Sequence, residues 1–242
     1  MTNHKWTIWL EWAVFLTIIA LATFLRYWRI GEVPPGLNSD EAVGAMGALT
    51  TLREGIRYSY EGQGGGGVLG FYFAAAFFYL FGPSINTLRG LAAWAGVMSI
   101  VANYWAIREV FRQEGLNRAR IIATIATLGL ATSLWHISAS RIAFAGIGVP
   151  FLMLPSVYFL WRGLNKTMIE ELTRIKGLTG LTESTNPANP VNPVNPVNPV
   201  NSVNPVNPLI LSILVKFFIP SGLFLGSLLY IYLSGVFVPP FY

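Results

Sequence analysis

Apolar runs, several of them long enough to cross a bilayer, dominate this chain and leave few folds open to it. The first runs from about Thr7 to Trp28. Others cover Val68 to Phe81, Ile85 to Ile107, Ile121 to Trp135, Ile147 to Trp161 and Leu209 to Leu233. About 20 apolar residues in a helix span the hydrocarbon layer, and in lipid only helices and closed barrels satisfy their own backbone polar groups. Composition agrees: 53% hydrophobic, 11% charged and a mean hydropathy of +0.53, well away from soluble usage. The expected class is an all-α integral membrane protein with about five transmembrane helices.

The charges fix an orientation. Arg108, Arg112, Arg118 and Arg120 separate two apolar runs, and Arg162, Lys166, Arg174 and Lys176 follow a later one. Short basic connections stay in the cytoplasm, so the net charge of +5 is that of a membrane protein and no nucleic-acid partner is expected. If every run crossed from a cytoplasmic N-terminus, the Arg108 to Arg120 connection would fall outside. Removing one earlier crossing restores the pattern. Val68 to Phe81 is the one to remove: as a helix it measures about 21 Å against about 30 Å of hydrocarbon, and Gly64 to Gly67 precede it. Residues 31–84 then form one long external loop with juxtamembrane helices. Ala20-Leu21-Ala22 resembles a signal-peptide cleavage site, but the run continues to Arg26-Tyr27-Trp28-Arg29, and Trp6, Trp9 and Trp12 mark its other end as an interfacial belt does. An uncleaved first helix is expected, with Glu11 near its inner end.

Three regions follow: a membrane module over 1–162, a cytoplasmic connection over 163–208, and a last transmembrane helix within 209–242. The connection carries Asn-Pro-Val triplets from Asn186 to Pro208. A proline every third residue removes backbone donors and blocks helix and sheet interiors, so a disordered insert is expected there. With no cysteine in the chain, disulfides, thiolate nucleophiles and cysteine metal sites are excluded.

Asp40 and Glu41 stand out in a chain with so few acids. They follow Pro34-Pro35-Gly36-Leu37-Asn38-Ser39. Asn38 is suited to cap a helix, and Glu41, three residues on, is placed as a capping-box acid. The helix that follows, about Asp40 to Arg53, sets Ala42, Met46, Leu49 and Leu52 at helical spacing for a membrane surface. The same geometry suits a carboxylate to act as a general base or cation ligand.

Arg26, Pro34-Pro35-Gly36-Leu37 and Asp40-Glu41-Ala42, in this order, resemble the first external loop of the GT-C membrane glycosyltransferases, in the branch of protein O-mannosyltransferases and the lipid A aminoarabinose transferase. Phe81-Gly82-Pro83-Ser84 with Arg89, Trp135-His136-Ile137-Ser138 with Ser140-Arg141, and Tyr230-Ile231-Tyr232 extend the resemblance. It implies the N-terminal half of a GT-C fold in the plasma (inner) membrane, N-terminus cytoplasmic and active-site loop external. The implied reaction is inverting transfer of a sugar from a polyprenyl-phosphate donor to an acceptor at the outer face. Asp40 is then the acid that activates the acceptor, in some members with a divalent cation such as Mg or Mn, and Glu41 its neighbour in the motif. Arg89, Arg141 and Arg26 are the candidate contacts to the lipid phosphate, although arginines at helix ends also snorkel to the interface. His136 is expected to hydrogen-bond at the interface. No Asp or Glu occurs between Arg141 and Trp161, where many relatives carry a second acid, so a two-acid metal site is not expected. Relatives run to about twice this length. A missing C-terminal segment is therefore an expected partner, and a non-catalytic fragment or scaffold is the alternative reading.

Overall fold

The computed structural model describes residues 3–56, 68–143, 145–183 and 213–225. Gly64, the Asn-Pro-Val insert and the C-terminal tyrosines lie outside the described residues. Seven α-helices are built: α1 (Asn3–Tyr27), α2 (Ser39–Glu54), α3 (Leu69–Phe81), α4 (Ile85–Val110), α5 (Leu116–Thr132), α6 (Leu134–Arg141) and α7 (Gly148–Glu183). Residues 213–225 are also helical and begin with a π-helical turn, Leu214–Phe218. There is no strand among the described residues.

Among the described residues two helices are long and apolar enough to cross a membrane, over Ile8–Tyr27 and Ile85–Val110. A third span is available if the bent pair α5 and α6 is counted as one. The apolar surface is where lipid would require it: Trp9, Leu10, Leu16 and Phe24 of α1 and Ile121 and Ile125 of α5 are exposed, a pattern that water would penalise.

α4 is the central helix. Against α1 it buries Ile100 with Ile18 and Ala22, and Tyr104 with Phe15; Ala131 and Ala123 of α5 close these two clusters. Small residues permit such close approach. Glu11 of α1 ties one end of the bundle, 3.2 Å from Arg108 and 2.8 Å from Arg120, and it accepts from the Tyr104 hydroxyl. Glu11, near the inner end of its helix, thus cross-links α1, α4 and α5. At the opposite end, the Tyr27 hydroxyl donates to the Gly90 carbonyl at 3.1 Å. α1, α4, α5 and α7 therefore alternate in direction.

α2 and α3 form a hairpin at the Tyr27 end. Ala48 packs with Ala74, Ala75 and Phe78, and Leu88 joins α4 to the cluster. Gly47 makes the approach possible: a Cβ there would lie 2.7 Å from the Phe71 ring. Leu49 turns into this contact while Met46 and Leu52 stay exposed. α3 has only 13 residues.

One boundary differs from the sequence reading. The run from Ile121 to Trp135 is not one helix: α5 stops at Thr132, Ser133 takes an extended conformation (φ −61°, ψ 120°), and α6 leaves at 53°. α7 runs past residue 162 to Glu183. Pro155 lies within α7, and the adjacent Ser156 exchanges hydrogen bonds with Ser221 of the 213–225 helix, 2.7 and 3.0 Å.

Candidate functional site

The loop of residues 28–38 between α1 and α2 is held from within by one guanidinium. Arg89, one turn into α4, has five N–H donors and all five are used. Its Nε donates to Glu41 Oε1 at 2.6 Å and its Nη2 to Glu41 Oε2 at 3.0 Å. The rest go to the carbonyls of Ile30 (3.1 Å), Pro34 (2.9 Å) and Gly36 (2.6 Å). Both partners of the pair are 1% exposed. The bidentate fork satisfies two ions that burial would otherwise penalise by several kcal/mol each.

Glu41 carries a second task. Asn38 accepts from the Glu41 N–H at 2.7 Å, and Glu41 Oε2 accepts from the Asn38 N–H at 3.1 Å. The capping box legible in the sequence is therefore present, and its acid is also the counter-ion of Arg89. Asp40, one residue earlier, is exposed and has no partner among the described residues. The adjacent acids thus divide: Glu41 is spent on structure, whereas Asp40 faces outward from the first turn of a fixed helix.

Arg26 and Arg141 finish the helices that surround this platform. A helix leaves its last four carbonyls unpaired, and cations are favourable at that end. Arg141 Nη1 donates to Leu25 O (2.9 Å) and Arg26 O (3.4 Å), the last turn of α1, and its Nη2 to Val33 O (2.9 Å). Arg26 Nη1 donates to Ala22 O (3.0 Å) and to Ala131 O (3.1 Å), the last turn of α5. Its Nη2 faces His136 Nδ1 at 2.8 Å. A guanidinium only donates, so Nδ1 accepts, Nε2 carries the proton, and it donates to Ser99 Oγ at 2.9 Å. Ser99 Oγ in turn donates to Gly96 O at 2.8 Å. Gly96 makes room for this chain, since a Cβ there would meet Ser140 Oγ at 2.3 Å and Arg26 Nε at 3.2 Å.

Of the three arginines expected at a lipid phosphate, Arg26 is fully buried with no exposure at all and Arg89 is saturated by the protein. Arg141, half-buried, retains N–H groups beyond its three bonds. His136 is buried, between Arg26 and Ser99. No group of three or more His, Asp or Glu suited to a metal occurs among the described residues. With both Glu41 oxygens committed, the motif leaves a divalent cation one free carboxylate, Asp40. Among the described residues the full oxygen set that a hard cation needs is not assembled. Sequence reasoning missed Ser99, Gly96 and the cross-links made by Glu11; the Gly-x-x-Ser spacing at 96 and 99 is the one signal that marks a small polar face on α4.

Comparison with protein-family models, with curated proteins and with solved structures gives no match.

Proposed function

We propose that the chain is a GT-C-type membrane glycosyltransferase module that uses a polyprenyl-phosphate sugar and acts at the outer face. The observation that carries this reading is the division of labour in the motif. Glu41 and Arg89 lock the Pro34 to Gly36 turn onto α4, and Asp40 is left as a free carboxylate on that platform. In this reading five crossings alternate, the Arg108 to Arg120 and Arg162 ends lie in the cytoplasm, and Asp40 lies outside with α2 and α3 at the outer surface.

In the proposed reaction Asp40 accepts the proton of the acceptor hydroxyl or amine. The freed lone pair attacks the anomeric carbon from the face opposite the phosphate. The bond from that carbon to the phosphate oxygen breaks, and the polyprenyl phosphate leaves with the electron pair, so the configuration inverts. Arg141, which keeps donors and already touches the loop at Val33, is the cation best placed for the departing charge. Arg26, Arg89 and Glu41 act as positioning residues.

The burial of Arg26 and Arg89 also favours a second reading, a non-catalytic membrane scaffold on the same framework. Membranes containing the chain, supplied with a panel of polyprenyl-phosphate sugars and acceptor extracts, distinguish the two. Transfer that requires Asp40 supports the enzyme; no transfer from any donor supports the scaffold.

A further inference from the structure

At the opposite end of the bundle, a cavity of about 480 Å³ opens between the end of α4, α7 and the π-helical turn. Arg112, Arg162 and Lys166 line it, with Glu109 as its one carboxylate among the described residues. Glu109 faces only Arg112, at 3.4 Å, and neither Arg162 nor Lys166 has an acidic partner among the described residues. Both instead flank the Phe217 ring, at 5.9 and 5.8 Å. The wall behind them is built: buried Asn165 donates to Glu109 O at 3.2 Å and accepts from Gln113 at 3.0 Å. Among the described residues, three cations face one acid, a charge balance suited to an anion.

The surroundings identify the kind of anion. One turn further along the same two helices, Ala102, Trp105, Pro155 and Tyr158 line an apolar cavity of about 340 Å³. Arg162 joins the two sites by donating to the Tyr158 hydroxyl and standing over its ring at 5.5 Å. Leu160, Trp161 and Leu164, on the same stretch of α7, are exposed. A basic pocket that continues into an apolar groove between two helices fits an amphiphile end to end.

We propose that the α4–α7 groove is a binding site for an anionic phospholipid, with the phosphate among Arg112, Arg162 and Lys166 and an acyl chain beside Trp105 and Pro155. Basic pockets between membrane helices on the cytoplasmic side hold such headgroups, and the adjoining apolar cavity favours an amphiphile over a free phosphate. The proposal does not rest on the glycosyltransferase reading.

The test uses the full chain purified in a neutral detergent, titrated with phosphatidylglycerol, phosphatidylcholine or glycerol phosphate and read by native mass spectrometry and thermal unfolding. Phosphatidylglycerol is expected to bind and to raise the melting temperature, with the other two at least tenfold weaker. The Arg162→Gln/Lys166→Gln variant should lose about 30-fold in phosphatidylglycerol affinity, equivalent to about 2 kcal/mol at 1.4 kcal/mol per tenfold, as expected for two basic residues at a headgroup. Arg118→Gln, an exposed arginine outside the pocket, should leave it unchanged. Ala102→Leu, which fills the groove, should weaken lipid binding while sparing the pocket's charge. Equal affinity for phosphatidylcholine, equal binding of glycerol phosphate, or an equal loss in Arg118→Gln would each overturn the site. Should the double variant fail to fold, absence of phosphatidylglycerol selectivity in the wild-type chain decides against it.

Discussion

Arg89→Gln removes the charge at the centre of the loop anchor and keeps a polar side chain of moderate size. The change leaves Glu41, 1% exposed, as a buried carboxylate without its cation, and it deprives the Ile30, Pro34 and Gly36 carbonyls of their donor. Breaking a buried pair from one side costs about 3–5 kcal/mol. The orphaned carbonyls would add about 1–3 kcal/mol each if they stayed dry, but they sit on a loop that can open to water, so the ion-pair loss sets the scale. For a chain of this size each kcal/mol moves the midpoint by about 2–4 °C, which gives a fall of roughly 6–20 °C. Glu41→Gln should fall less, because Arg89 keeps its three carbonyls and an amide oxygen still accepts, and Gln retains the capping geometry. The double variant should be no worse than Arg89→Gln alone, since the unpaired charge is gone. Thermal unfolding of purified protein, followed by tryptophan fluorescence and by size-exclusion recovery after heating, reads all three. An Arg89→Gln midpoint within about 2 °C of wild type, which corresponds to under about 1 kcal/mol, would refute the anchoring role.

Other perturbations probe the remaining contacts. Gly96→Ala should cost about 1–3 kcal/mol as an overpacked core position, because its Cβ would meet Ser140 and Arg26, and the melting midpoint is the readout. Gly47→Ala should loosen the α2–α3 hairpin by pressing on the Phe71 ring, seen as faster proteolysis near α2 with the rest of the bundle intact. Because the chain has no cysteine, single cysteines at exposed positions 37 and 112 test orientation with an impermeant thiol reagent on intact cells. Labelling is expected at 37 and not at 112, and the reverse would overturn the topology.

Much of the helical plan was legible because lipid leaves a chain few ways to satisfy its backbone, and because Asn38 and Glu41 sit three residues apart, a spacing that defines a cap locally. The partner of Glu41 was not legible. Arg89 lies 48 residues away, and nothing in the sequence distinguishes an arginine that snorkels to lipid from one that turns inward to a carboxylate. Arg26 misled for the same reason: the end of an apolar run reads as an interface, yet small residues, Ala22 below it and Gly96 across from it, let the guanidinium fold into the bundle. The break between α5 and α6 carries no proline. It is marked only by the bonds that finish α5, the Ala131 carbonyl taken by Arg26 and the Ser133 N–H turned back to Leu130 O at 3.3 Å.

The division between Asp40 and Glu41 is tested most directly by measuring sugar transfer and melting midpoint together for Asp40→Asn and Glu41→Gln, in membranes that transfer sugar with the wild-type chain. Loss of a general base costs about 10²–10⁴-fold in rate. Asp40→Asn should lose transfer on that scale with an unchanged midpoint, whereas Glu41→Gln should lower the midpoint and reduce activity only as far as the loop loosens. Wild-type transfer rates in Asp40→Asn, or a collapse of its stability, would contradict the assignment of chemistry to Asp40.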